Sequence, residues 1–406
     1  TMRRTRVWDA LQAEGPRDDI VVKGWVRTKR DSKGFSFLEI NDGSCLKNLQ
    51  AVVDHHISGA QLLESIHTGA AVSLQGSLAE SPGQGQRWEL KAERINILGP
   101  ADPETYPLQK KRHSDEFLRT IPQIRARTNK YGALYRMRSE LAWAIHSFFH
   151  HRSFLYVHSP IITGLDCEGA GELFRVTALD LDRLPPPQER DSEDFFGQKA
   201  YLTVSGQLTA EVLACALGNV YTFGPTFRAE NSNTPRHAAE FWMVEPEMAF
   251  ADLEEDMDLA EDLITSCIRH IRGECAQDLE LFTRFVDKGL SDTLDLVTAG
   301  PFVRLPYAEA VSILQKAHRK KGFEFEPAYG QDLQTEHERF LVEKHFQRPV
   351  IVYDYPQAIK PFYMRMNEDR ETVAAMDVLL PRVGEIVGGS QREERLDELE
   401  ARMQSM

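Results

Sequence analysis

Between about residues 18 and 100 the chain is a succession of short alternating runs broken by turn residues, and this leaves few folds open. Ile20-Val21-Val22 leads to Gly24-Trp25-Val26-Arg27. Phe35-Ser36-Phe37-Leu38-Glu39-Ile40 is followed by the turn Asn41-Asp42-Gly43-Ser44 and then by Leu49-Gln50-Ala51-Val52-Val53. Ala71-Val72-Ser73-Leu74-Gln75-Gly76 precedes the turn Ser81-Pro82-Gly83-Gln84-Gly85 and the run Trp88-Glu89-Leu90. Period-two alternation bounded by Gly, Pro, Asn and Ser suits antiparallel strands. Five or so such strands, with one short helix at about 58–67, predict a small closed barrel.

That barrel is of the OB type and occupies residues 1–105. Pro103, Pro107 and Pro122, with the basic cluster Lys110-Lys111-Arg112-His113, mark 106–125 as a hinge. From 129 to 152, Leu134, Met137, Leu141, Ile145, Phe148 and Phe149 recur at helical spacing. The strand Phe154-Leu155-Tyr156-Val157 ends at His158-Ser159-Pro160, strands dominate again through 201–250, and 252–275 is amphipathic and helical. Pro185-Pro186-Pro187 and the charged run to Asp194 form a surface insertion. The fold class is therefore α+β with an all-β N-terminal domain, and 126–406 forms the larger domain.

Charge and cysteines exclude some functions. The net charge of −14 argues against non-specific coating of nucleic acid. Residues 1–105, however, hold 13 Lys/Arg against 14 Asp/Glu, so nearly all the acidic excess lies beyond them. A near-neutral barrel keeps the option of a local basic face for RNA. No apolar run approaches the ~18 residues of a membrane helix. The five scattered cysteines form no CxxC pair and read as reduced thiols of a cytoplasmic protein.

The segment Phe227-Arg228-Ala229-Glu230-Asn231-Ser232-Asn233-Thr234-Pro235-Arg236-His237-Ala238-Ala239-Glu240-Phe241, with Val244-Glu245-Pro246-Glu247 after it, is two strand-like runs joined by a polar loop. It gathers two arginines, a histidine and several carboxylates at one hairpin. Read from the residues alone, it is either a solvated hairpin or a site for a polyphosphate and a metal, since guanidinium donors match phosphate oxygens in pairs.

This segment resembles motif 2 of the class II aminoacyl-tRNA synthetases, specifically the aspartate/asparagine/lysine subgroup. The helix at 129–152 with its strand and Pro160 resembles motif 1, which implies a homodimer through 129–160. Thr163-Gly164-Leu165-Asp166-Cys167-Glu168-Gly169-Ala170-Gly171-Glu172-Leu173-Phe174, Thr203-Val204-Ser205-Gly206-Gln207-Leu208 and Gly384-Glu385-Ile386-Val387-Gly388-Gly389-Ser390-Gln391-Arg392 resemble the asparaginyl members of that subgroup. The resemblance runs over essentially the whole chain. It implies an OB-fold anticodon-binding barrel followed by an antiparallel catalytic sheet flanked by helices, ATP and Mg²⁺ as cofactors, and tRNA and asparagine as substrates.

The resemblance also assigns roles. Arg228 would bind the ATP α-phosphate and Glu230 would contact ATP beside it. Arg236 and His237 would hold the outer phosphates, and Phe241 would stack on adenine. Asp377 and Glu385 would bind Mg²⁺. Glu168 and Gln207 would take the substrate α-amino group, and Arg392 would face the substrate side chain. Fixed arginine and Mg²⁺ suit this chemistry, because negative charge gathers on the phosphoryl oxygens as the substrate carboxylate displaces pyrophosphate.

Aspartate and asparagine are nearly isosteric, so charge and donor placement must separate them. Aspartyl enzymes carry a lysine shortly after a Ser-Pro-Gln run. Here the run is Ser205-Gly206-Gln207-Leu208-Thr209-Ala210-Glu211, with Ala210 in the lysine's place and Glu211 after it. Either Glu211 accepts from the substrate amide and repels aspartate, or it merely begins a solvated helix. On the barrel, Arg27-Thr28-Lys29-Arg30-Asp31-Ser32-Lys33 supplies cations beside an aromatic strand. The resemblance places Phe37 and Gln50 on the anticodon face, with Arg27 and Arg30 beside them. The alternative for Phe37 is a core position: Phe35 and Phe37 share parity, so one face holds both, and parity does not say which. Trp25 and Trp88 read as barrel core.

The class II family also carries a motif 3, Gly-x-Gly-x-x-x-Arg, and none lies beyond Arg392 before Glu400-Ala401-Arg402-Met403-Gln404-Ser405-Met406. The expectation is a fragment of a longer protein. The competing functions are an aspartyl enzyme of relaxed specificity, opposed by Ala210-Glu211, a non-catalytic tRNA-binding relic, opposed by Arg228, Glu230, Asp377 and Glu385, and an amidating relative without a tRNA role, opposed by the barrel.

Overall fold

The computed structural model describes residues 4–83, 85–109, 111–165, 173–231 and 238–405. The chain divides into two compact units, Thr1–Glu140 with Ile271–Leu290, and Leu141–His270 with Ser291–Met406.

The first unit is built on a closed five-stranded barrel of β1 (Arg17–Ser32), β2 (Phe35–Asn41), β3 (Leu49–Ser58), β4 (Ala71–Glu80) and β5 (Trp88–Gly99), ordered β1-β2-β3-β5-β4. The sixteen residues of β1 serve two neighbours: Arg17 to Trp25 pairs with β4 and Trp25 to Ser32 with β2. The parallel β3–β5 pair closes the ring. Alternation decides what fills it. Val22, Val26, Leu38, Ile40, Leu49, Ala51, Val53, Val72 and Leu74 are all buried, and full burial of such side chains is worth roughly 1.5–3 kcal/mol each. Trp88 joins them, and its buried indole N–H donates to Ala13 O at 2.9 Å. The predicted helix at 58–67 is a 3₁₀ turn, Ala60–Ser65, entered through Gly59 at φ 90°.

Two sequence readings change here. Trp25 lies outside the core, half-buried under the Arg127 guanidinium at 4.8 Å from its ring centroid. Arg27, expected on the anticodon face, donates to Arg127 O and, at 2.7 Å, to Asn129 Oδ1. Its guanidinium thus fastens the barrel to the segment entering the helix Asn129–His151. The stretch expected as a hinge contains the short helices Asp115–Thr120 and Pro122–Arg125. A bidentate pair from Arg136 to Asp278 (2.8 and 2.7 Å), with a third donor to Gly43 O at 3.1 Å, ties three parts of this unit together.

In the second unit, β6 (Leu155–Tyr156) runs parallel to β10 (Asn219–Phe227), which forms an antiparallel hairpin with β11 (Glu240–Met248). A small sheet of β7 (Ile162–Thr163), β9 (Ala200–Leu202) and β8 (Arg175–Val176) lies between them in sequence. A four-stranded sheet follows: β12 (Val303–Pro306), β13 (Val350–Pro356), β14 (Thr372–Leu380) and β15 (Gly384–Ser390), antiparallel except for β12–β13. Its inner strands β13 and β14 are buried on both faces. Val350, Val352, Val373 and Ala375 pack with Tyr307, Leu314 and Leu341. Ile351, Met376, Val378 and Leu380 pack with Met257, Ala260 and Val297. Helices thus flank an antiparallel sheet after the barrel, as the sequence predicts. Among the described residues no helix is long and apolar enough to cross a membrane.

Candidate active site

The β10–β11 register sets the first group of site residues. Thr226 pairs with Phe241 and Phe227 with Glu240, and Arg228 N–H donates to Ala239 O at 3.1 Å. Arg228 and Phe241 therefore face each other across the hairpin, with the guanidinium carbon 5.5 Å from the ring centroid. Glu230 is exposed just beyond. Arg236 and His237, in the connecting loop, lie outside the described residues, as does Glu168.

A second group comes from the turn Ser205-Gly206 and the helix Gln207–Leu217. Glu245 on β11 accepts from Gly206 N–H at 2.9 Å, from Thr222 Oγ1 at 3.0 Å and from Ser205 Oγ. A Cβ on residue 206 would come within 2.8 Å of Thr222 Oγ1 and 3.0 Å of Glu245 Oε2, so the turn needs glycine. One helical turn on, Gln207 Nε2 donates to Glu211 Oε1 at 2.9 Å. Ala210, where a lysine would add a cation, is fully buried.

Arg392, just past β15, meets this helix. Its Nε donates to Glu211 Oε1 at 2.7 Å, its Nη2 to Glu247 Oε1 at 3.1 Å and its Nη1 to Ser390 O at 3.0 Å. Burial works against its charge, but Glu247 and Glu211 more than restore it, and its pKa is raised. Burial likewise pushes the Glu247 carboxyl up to about 7, against the pull of Arg392 and with the push of Glu211, Asp256 and Glu245. Burial also raises Asp256, to about 6, although Arg392 opposes it.

The third group lies across β14 and β15. Asp377 pairs with Gly388, and a Cβ on that glycine would sit 3.4 Å from Glu385 Oε1 and 3.6 Å from Asp377 Oδ1. An oxygen of each carboxylate thus borders the space left open by the missing Cβ of Gly388. That arrangement fits Mg²⁺, which takes one or two carboxylates and completes its shell with water and substrate phosphates. It is not a dedicated cage: no cluster of three or more His, Cys, Asp or Glu suited to a metal occurs among the described residues. Lys360 Nζ stands 3.0 Å from Asp377 Oδ2 and 4.0 Å over the Tyr355 ring.

Gln207, Glu211, Arg228, Glu230, Phe241, Glu385 and Arg392 all line one cleft of about 2070 Å³. The outer strands β11 and β15 of the two sheets both border it. Asp377 is not among its lining residues; it pairs with Gly388 on the neighbouring strand and lies beside Lys360. The paired donors and acceptors around Glu211 and Arg392 suit a small polar side chain. Arg228 and Phe241 suit a phosphate and a planar base.

Residues 114–406 match the family model of class II tRNA synthetases for D, K and N, and residues 20–98 match the OB-fold nucleic acid binding domain. An asparagine–tRNA ligase of Nitratidesulfovibrio vulgaris (strain DP4) is 62% identical over 407 aligned residues, covering 100% of this chain and 88% of the relative. The chain belongs to the class II tRNA synthetases, in the asparagine–tRNA ligase family. A Nostoc asparagine–tRNA ligase is 55% identical over 99% of this chain and 87% of its own length. The asparaginyl-tRNA synthetase of Pyrococcus horikoshii, solved with asparaginyl-adenylate, superposes with a TM-score of 0.83 at 28% identity, covering 100% of this chain and 87% of that one.

Sequence reasoning assigns no individual role to four polar residues of this ligase-family site: Glu245, Glu247, Asp256 and Lys360. For the first two a signal existed. Acidic residues two apart in the strand run Val244-Glu245-Pro246-Glu247 share one face of the sheet, and an otherwise half-apolar strand rarely tolerates that without partners. Lys360 lies in an irregular stretch with no periodicity to read.

Proposed function

We propose that this protein activates asparagine with ATP to an asparaginyl-adenylate and transfers the asparaginyl group to tRNA. The observation that carries the choice of amino acid is the ion pair between Glu211 and Arg392 beside the buried Ala210. Ala210 takes the place where an aspartyl enzyme carries a lysine, and the carboxylate of Glu211 stands next to it. That carboxylate accepts from an amide NH₂ and repels a β-carboxylate.

In this reading the asparagine α-carboxylate attacks the α-phosphorus and pyrophosphate leaves, after which a terminal ribose hydroxyl of tRNA takes the asparaginyl group. Arg228 donates to the α-phosphate oxygens, where charge grows in the transition state. Glu230 contacts ATP, Phe241 stacks on adenine, and Arg236 and His237 hold the outer phosphates. Gln207 and Glu168 take the α-amino group. Mg²⁺, held by Asp377 and Glu385, would neutralise phosphate charge when bound. This chemistry requires no covalent protein nucleophile.

On the barrel we assign the anticodon face to Phe37, Arg30 and Gln50. Phe37 points outward, because Ser36, Leu38 and Ile40 point in, and the Arg30 guanidinium lies 4.9 Å from its ring centroid. Flat cations and rings of this kind stack unpaired bases. We further assign 1–105 to anticodon binding, 106–125 to the connection and 126–406 to aminoacylation, with a homodimer through 129–160. Supporting the dimer, Leu134, Tyr135, Leu141, Trp143, Leu155 and Tyr156 all expose large apolar surface. A cytoplasmic location follows from the role in translation.

The test is ATP–pyrophosphate exchange by the purified full-length protein, with asparagine and aspartate in parallel, followed by tRNA charging. Exchange that depends on asparagine is expected. Equal exchange with both amino acids would favour a relaxed aspartyl enzyme, and tRNA binding without any exchange would favour a non-catalytic role.

A further inference from the structure

All three nitrogens of the Arg392 guanidinium have protein acceptors: Glu211 on Nε, Glu247 on Nη2 and Ser390 O on Nη1. The Nε–Nη2 edge is the one that binds a carboxylate side-on with two parallel hydrogen bonds. Here that edge is divided between two carboxylates from different elements, one on the helix Gln207–Leu217 and one on β11. Further acid stands behind them. Asp256 Oδ2, on the helix Leu253–Glu274, would be 2.7 Å from a Cβ on Gly389, and Glu245 lies two residues from Glu247 on the same strand.

We propose that Glu247 is a specificity-determining positioning residue: it occupies half of the carboxylate-binding edge of Arg392 and leaves the pocket with surplus negative charge, which a neutral amide tolerates and a β-carboxylate does not. An arginine with that edge free would be the best receptor the pocket could offer aspartate. Glu211 alone leaves half of it open. With Glu247 in place, an incoming β-carboxylate must displace an existing ion pair and enter beside two like charges, a juxtaposition that costs far more than it returns. The inference rests on the reading of Glu211 and Arg392 as the side-chain pocket.

The charge on Glu247 is also adjustable. The groups facing it are Arg392, Glu211, Asp256 and Glu245, and burial among them pushes its carboxyl up to about 7. Below that pH it holds a proton and the surplus charge shrinks. Protonation of Asp256, at about 6, acts in the same direction. Discrimination against aspartate should therefore strengthen as pH rises through neutrality.

The experiment measures kcat/KM for pyrophosphate exchange with asparagine and with aspartate at about pH 6 and about pH 8, bracketing the Glu247 transition, using full-length wild type, Glu247→Gln, Glu247→Asp and Glu211→Gln. The asparagine/aspartate ratio in Glu247→Gln is expected to fall at least ~10-fold at the higher pH, because one repulsive charge is gone. The rise of the ratio with pH should flatten as well. Glu247→Asp keeps the charge and should retain both. A Glu247→Gln ratio and pH slope like wild type would overturn the proposal, as would equal losses with both amino acids, or a Glu247→Asp variant that loses the ratio as fully as the amide does. Glu211→Gln separates the two levels: if it shifts the ratio and Glu247→Gln does not, only the role of Glu247 falls. If neither shifts it, the pocket reading falls too.

Discussion

Arg392 reaches back 181 residues to place its Nε 2.7 Å from Glu211 Oε1, and the same oxygen accepts from Gln207 Nε2 at 2.9 Å. Glu211 is thus held in place by two neighbours before any substrate arrives. That is how a discriminating acceptor must be built, since a mobile carboxylate could turn away from the wrong ligand. Glu211→Gln should reduce kcat/KM for asparagine by about 1.5–3 kcal/mol, the worth of a hydrogen bond to a charged group. Paired adenylation assays check this, and an unchanged asparagine/aspartate ratio would place selectivity elsewhere.

Arg228 supplies the next expectation. It leaves the end of β10 opposite Phe241, on the wall of the cleft. Removing one donor to a charge that grows in the transition state costs on the order of 10²–10³ in rate. Arg228→Ala should lower pyrophosphate exchange by at least ~10²-fold while the far-ultraviolet spectrum stays that of wild type. Exchange near the wild-type rate would make Arg228 an ordinary cation of the hairpin.

On the barrel, Phe37→Ala removes a ring that points outward from β2, so the core of Leu38 and Ile40 stays filled. A lost base stack is worth ~1–3 kcal/mol. tRNA charging should weaken by that amount, and pyrophosphate exchange without tRNA should not change. Loss of barrel stability in this variant would mean that the ring supports the strand rather than the anticodon.

Asp377 and Glu385 both face the space a Cβ on Gly388 would fill, at 3.6 and 3.4 Å, with Lys360 already paired to Asp377 at 3.0 Å. Because Mg²⁺ completes its shell with phosphate oxygens, removing one carboxylate should raise the Mg²⁺ concentration needed for half-maximal exchange rather than abolish binding outright. Glu385→Gln is expected to raise it ~10-fold or more, the scale of a lost ligand-shell interaction. A Mg²⁺ titration of exchange that superposes on wild type would remove Glu385 from the metal site.

Why some of this was readable and some was not follows from range. Period-two alternation in β2 and β3 exposes the barrel directly, because each strand has one wet and one dry face. Parity alone placed Phe35 and Phe37 together but left their side open. The inward turn of Ser36, which donates to Asp31 Oδ1 at 2.6 Å, settles it, and a buried serine is not a signal hydrophobicity can carry. The basic run puts Arg27 beside the aromatic strand, yet its acceptors are 100 and 102 residues away. Glu211 could be located by its offset from Gln207. Its partner Arg392, just past β15, and through that arginine Glu247 on β11, come from elsewhere in the chain, which no local pattern encodes.

The last expectation concerns acid stability. The Glu393 side chain is fully buried, which alone would raise its pKa, yet Arg395 Nε and Nη2 each donate to it at 2.8 Å and Met366 N–H donates at 2.9 Å. These hydrogen bonds overcome the burial and hold the carboxyl at about 2, below its ordinary 4.5. A carboxyl depressed in the folded state binds more protons when unfolded, so folding gains stability as pH rises. The gain is complete above the unfolded value of about 4.5 and disappears as pH falls through about 2. Glu393→Gln should therefore destabilise the protein by about 1.5–3 kcal/mol at neutral pH. The gap between variant and wild type should narrow steadily below about pH 5, as the native carboxylate loses its advantage. Urea denaturation across that range is the check. A gap that stays constant into acid would mean that the ionised form of Glu393 contributes nothing that its neutral form does not.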